Sequence, residues 1–175
     1  MLLWGCMTFQ AGATDVELQM RYVLPTCTLT FDNGKSSLEY PLGILATGSQ
    51  KKHEPFMVYV DCSGDTPVKT AITARVVSGL NGLESVVQPN NDSVRMQVAG
   101  TPGVDINSPE LWLQTKDKGK VKLTGLENDA FCINEKSTTG SSQNKCQLTP
   151  ETYIPAKSAR GKFGVVMQFN VEYPL

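Results

Sequence analysis

Apolar and polar residues alternate strictly through several short stretches of this chain. In "GKFGVVMQFNVEYPL", residues 161 to 175, Phe163, Val165, Met167, Phe169, Val171 and Tyr173 fall on one face. Lys162, Gln168, Asn170 and Glu172 fall on the other. Successive side chains of a strand point to opposite faces, so this period predicts a half-buried strand. Near the other end, Val16, Leu18, Met20 and Tyr22 alternate with Asp15, Glu17, Gln19 and Arg21 until Pro25 breaks the run. Between the two lie "CTLTF" (27–31), "SLEYPLGIL" (37–45), "PFMVYVDC" (55–62), "KTAITARVVSG" (69–79) and "SVRMQVAG" (93–100). A hairpin is expected in "ELWLQTKDKGKVKLTG" (110–125), turning near Lys118 and Gly119, and "YIPAKS" precedes the final strand. Pro41 suits an edge or a bulge. No stretch sustains apolar spacing at three, four and seven residues. Many short strands between turn signals predict an all-β sandwich or barrel.

The 175 residues suit one domain, and the net charge of −1 comes from interspersed charges of both signs. That balance offers no electrostatic footprint for nucleic acid or a polybasic membrane contact. The opening "MLLWGCMTFQAGA" combines an apolar run with a small-x-small site at Ala11 to Ala13, the pattern of a signal-peptide remnant over residues 1–13. Cleavage there removes Cys6 and leaves Cys27, Cys62, Cys132 and Cys146. An even set in an exported chain reads as disulfides. Of the three connectivities four cysteines allow, the sequential one, Cys27–Cys62 with Cys132–Cys146, is the expected pairing. The polar stretch between Cys132 and Cys146, "INEKSTTGSSQNK", reads as a stapled surface excursion.

Candidate chemistry is sparse. His53 stands alone in "SQKKHEP" and reads as a solvated loop histidine. With one histidine and no CxxC, the metal-site and cofactor readings have no ligand set. No GxSxG, no cysteine–histidine pair and no phosphate-binding glycine loop is present, so no catalytic residue is assigned. The unusual features are the two strand-like ends. A strand outside a domain body is an unpaired edge, and such edges invite pairing with another chain.

The ordered set of features resembles the subunits of bacterial chaperone–usher fimbriae, of the type 1 and P pilus kind. It consists of an alternating segment before Cys27, then Leu38, Tyr40 and Leu42-Gly43, then Phe56-x-Val58-x-Val60-x-Cys62. Ala156 and the Gly161-to-Tyr173 interval complete it, so the likeness runs from Asp15 to the C-terminus. The resemblance implies an incomplete immunoglobulin-like β-sandwich completed by a donor strand. Residues 14–26 would be the donor-strand extension, with Val16, Leu18, Met20 and Tyr22 as its inserting side chains, and 27–175 the pilin domain. The groove and chaperone-pairing strand would carry Phe163, Val165, Met167, Phe169, Val171, Tyr173 and Leu175. The implied partners are neighbouring fimbrial subunits, a periplasmic chaperone and an outer-membrane usher, with a host receptor allowed. The implied location is the cell-surface fimbria, reached through the periplasm, with a role in cell adhesion. Pro174 and Leu175 follow a tyrosine that is commonly penultimate in the family. The extension is short, and the second cysteine pair is an addition to the common pattern. These departures point toward a minor subunit (tip, adaptor or terminator). Two other readings stay open. One is a single-domain adhesin of the same architecture, contacting its receptor through residues 133–145. The other is a self-contained secreted sandwich whose own residues 15–23 fill the groove.

Overall fold

The computed structural model describes residues 26–64, 66–116, 119–138 and 142–174. The signal remnant, the alternating segment with Val16, Leu18, Met20 and Tyr22, and Leu175 lie outside the described residues.

The described residues form strands and turns with no α-helix. The strands are β1 (Cys27–Phe31), β2 (Ser49–Lys52), β3 (Phe56–Cys62), β4 (Val68–Gly79), β5 (Ser85–Val87) and β6 (Val94–Met96). They continue with β7 (Glu110–Thr115), β8 (Gly119–Lys120), β9 (Phe131–Ser137), β10 (Asn144–Ile154) and β11 (Val165–Glu172). One sheet runs β1-β3-β10-β7-β6-β5, with β2 added to β10 and β8 to β7; the other runs β11-β4-β9. Every pairing is antiparallel. The two sheets pack face to face as an immunoglobulin-like sandwich.

Alternation explains the core. Phe56, Val58, Val60 and Cys62 point inward along β3, and Val58 and Val60 are 0 % exposed. Ile72 and Ala74 of β4 and Cys146 and Leu148 of β10 meet them, also at 0 %. The 110–125 hairpin forms as expected, with Thr115 opposite Gly119. Cys27 lies directly opposite Cys62 across the β1–β3 ladder and is bonded to it, and Cys132 is bonded to Cys146.

Three expectations are corrected. The polar run after Cys132 is largely strand rather than a surface excursion: β9 and β10 occupy residues 131–137 and 144 onward. Its inward positions are polar but satisfied. Ser137 is 0 % and Asn144 3 % exposed. Asn144 Nδ2 donates to Thr70 Oγ1 at 3.0 Å and to the Cys132 carbonyl at 2.8 Å, while the Thr70 and Ser137 hydroxyls bond each other. His53 is not solvated. It is 8 % exposed, its backbone N–H donates to the Pro150 carbonyl at 2.9 Å, and its Nε2 meets Thr152 Oγ1 at 2.9 Å. Finally, "SLEYPLGIL" keeps its alternation but is in no strand.

Candidate strand-accepting edge

The sandwich is closed differently along its two seams. On one side, β9 and β10 belong to different sheets and are stitched together. The Cys132–Cys146 bond joins them covalently, and the Asn144–Thr70–Ser137 network lies beside it, removed from water.

On the other side the edges are β1 and β11. Among the described residues β1 pairs only with β3, and β11 only with β4. The contacts between them are few. Phe31 meets Phe169 edge-on at 5.8 Å between ring centroids, and the Cys27 backbone N–H donates to the Tyr173 hydroxyl at 3.2 Å.

Burial marks the same asymmetry. The alternating apolar face of the last strand packs against the core, yet Phe163, Val165, Met167, Phe169 and Val171 are all only half-buried. Leu29 of β1 is half-buried as well. The central strands behind them hold inward residues at 0 %. Tyr173 is exposed at 47 %. The alternating face read from the sequence is the one that packs on the core; among the described residues it is incompletely covered and the outer edge of β11 has no partner strand. Burying large apolar side chains stabilises by roughly 1.5–3 kcal/mol each, so part of that stabilisation is unrealised along β11.

Sequence reasoning placed one side of this opening on the first strand and missed a second contributor. No backbone hydrogen bond among the described residues involves residues 38–45. Leu38, Tyr40 and Leu42 nevertheless pack half-buried against the core, while Ile44 is fully exposed. An alternating segment with no backbone partner among the described residues can take up a neighbouring strand. The aromatic cluster ties it to β11: Tyr40 packs on Phe56 at 5.7 Å, and Phe56 on Phe169 at 6.4 Å. The signal available beforehand was the period-two spacing of Leu38, Tyr40 and Leu42.

Chemically, such an edge offers main-chain donors and acceptors for a further strand and an apolar face for its alternate side chains. Elsewhere, a polar cleft of ≈ 420 Å³ is lined by residues including Ser93, Arg95, Glu110 and Lys120. Its Glu110 carboxylate already accepts from Ser93 at 2.5 Å and pairs with Arg95 at 3.6 Å. No group of three or more His, Cys, Asp or Glu among the described residues is placed to hold a metal ion.

Solved structures share this sandwich fold. The P pilus rod subunit PapA matches with a TM-score of 0.55 over 85% of this chain and 99% of that one, at 16% identity. A chaperone–usher pilus, in a structure that addresses the molecular basis of rod uncoiling, matches with a TM-score of 0.53. That match covers 97% of this chain and 100% of the other, at 14% identity. The chain thus has the fold of chaperone–usher pilus subunits. No family model matches the sequence, and no curated protein matches it by sequence.

Proposed function

We propose that the chain is a structural subunit of a surface fimbria, polymerised by donor-strand exchange. One observation carries the reading: the alternating apolar face of β11 is half-buried while its outer edge has no partner among the described residues. In this account the missing strand is residues 14–26 of the neighbouring subunit, with Val16, Leu18, Met20 and Tyr22 entering the apolar face. A periplasmic chaperone covers the same edge before assembly, pairing with β11 up to Leu175, and an outer-membrane usher exchanges it for the next subunit. The role is mechanical and adhesive rather than catalytic, and a head-to-tail contact that does not close on itself yields a fibre. The second cysteine pair, Cys132–Cys146, fits a minor subunit.

Within residues 133–145, Ser137 and Asn144 are committed to the core, so an adhesin contact would fall to exposed positions such as Ile133, Glu135 and Lys136. Deletion of residues 14–23 tests the proposal. With a chaperone present the remaining body persists and takes up a donor peptide of residues 14–26. A stable monomeric intact chain, together with a truncation that unfolds and accepts no peptide, would instead make this a self-contained secreted sandwich.

A further inference from the structure

The segment 37–45 is held almost wholly by side chains. Its central anchor is Tyr40. The Tyr40 hydroxyl donates to the Glu54 carbonyl at 2.6 Å, and its ring packs on Phe56 and edge-on against His53, with centroids 6.4 Å apart. Phe56 meets both Phe31 at 6.2 Å and Phe169 at 6.4 Å. Contacts therefore run without a break from the His53 imidazole through Tyr40 and Phe56 to β11.

We propose that neutral His53 is the positioning residue that seats segment 37–45 through Tyr40, so that the strand-accepting edge is in place near neutral pH and loosens on acidification. This rests on the strand-acceptor reading above and adds a control to it.

The surroundings of His53 disfavour a positive charge. Its side-chain partner is the Thr152 hydroxyl, and Thr152 is itself 0 % exposed. Burial first, and the Lys51 ammonium second, hold the imidazole below its ordinary range. The other charged groups nearby are Lys52 and Glu54 on its own stretch and Glu39 on the segment. Glu151 on β10 alternates with Thr152, so it lies on the opposite face of the sheet, where Gln50 donates to it at 3.3 Å. On the β3 side the Tyr40 ring packs on Phe56, which is apolar. An imidazolium here must gain water. β3 and β10 are held by ladders on both sides, whereas residues 38–45 have no backbone hydrogen bond among the described residues, so the segment yields first. The folded state takes up the His53 proton at lower pH than the unfolded state does. The resulting stabilisation is present above the unfolded value and is lost as pH falls through the folded one.

The chain has one histidine, so its ring signal in an NMR titration of the full-length protein is unambiguous. The expected result is a histidine midpoint below the ordinary range, with the Tyr40 ring signals (identified with Tyr40→Phe) shifting at the same midpoint. In His53→Gln the Tyr40 signals stay constant through that window. A histidine titrating at its ordinary value, or Tyr40 signals moving equally in His53→Gln, would overturn the proposal; the wild-type titration decides even if the variant does not fold. A second readout is uptake of a synthetic peptide of residues 14–26 by the full-length chain. Uptake weakens from pH 7.5 to pH 5 in the wild type and stays level in His53→Gln. Parallel loss in both proteins counts against the proposal. No uptake by either protein at any pH would sink the strand-acceptor reading instead, while the ring signals still decide the coupling of His53 to Tyr40.

Discussion

Phe31 and Phe169 meet edge-on across the seam between the two sheets, with ring centroids 5.8 Å apart. They come from the two strands that border the opening, β1 and β11, and Phe56 touches both. Edge-to-face aromatic pairs contribute about 0.5–1.5 kcal/mol beyond the area they bury. A double-mutant cycle of Phe31→Leu and Phe169→Leu, measured by denaturant unfolding, is expected to return a coupling in that range. Strict additivity would mean that the seam is not held by this pair.

The opposite seam is held by Cys132–Cys146. Replacing both cysteines by alanine is expected to cost about 3 kcal/mol by the chain-entropy estimate for a loop of this length. The loss is read as a lower unfolding free energy, with a slope no smaller than that of the intact chain because the uncrosslinked unfolded state is more expanded. A change under about 0.5 kcal/mol would show that the Asn144–Thr70–Ser137 network closes that seam on its own.

Gly161 seats the entry to the last strand. A Cβ there would stand 2.8 Å from Val98 Cγ1 and 2.9 Å from the Ala99 carbonyl oxygen, beside the bond from the Ala99 N–H to the Lys162 carbonyl. Gly161→Ala is expected to destabilise by roughly 1–3 kcal/mol, the usual cost of overpacking. An unchanged melting temperature would contradict this close approach.

Trp112 is 6 % exposed, with Lys120 Nζ 4.2 Å from its ring centroid and, among the described residues, no hydrogen-bond partner for its Nε1. A buried unpaired N–H costs about 1–3 kcal/mol, so Trp112→Phe removes a penalty together with some ring area. The net change is expected to stay within about 1.5 kcal/mol, whereas Trp112→Ala costs about 3–5 kcal/mol. A loss in Trp112→Phe as large as that in Trp112→Ala would show that the indole N–H matters.

Much of the framework was legible because period-two alternation follows from strand geometry. β1, β3, β4, β7 and β11 all sit on runs picked out by that spacing. What alternation cannot supply is the partner of each face. Residues 37–45 alternate as a strand does, but pairing is a property of the neighbour, and this segment has none among the described residues. The run after Cys132 misled in the other direction. Its inward Ser137 and Asn144 look like loop chemistry until Thr70, far away in sequence, supplies their hydrogen bonds. β10 lies outside the runs that alternation picks out, and it carries Pro150, a residue uncommon in a strand interior. There its carbonyl accepts from the His53 N–H, a contact that also buries the histidine taken for a loop residue. The half-burial of β11, on which the functional reading turns, depends on what does not cover it and so could not be read from the chain alone.

The central claim is that β11 accepts a strand from another molecule. Hydrogen exchange of the β11 amides tests it most directly, in the subunit lacking residues 14–23, before and after adding the peptide of residues 14–26. The account predicts that outward-facing amides within residues 165–172 become protected. It also predicts that the body gains about 2.7 kcal/mol of stability when the peptide is present at a hundred times its dissociation constant. Unchanged exchange along β11 and no gain in stability with peptide would contradict it.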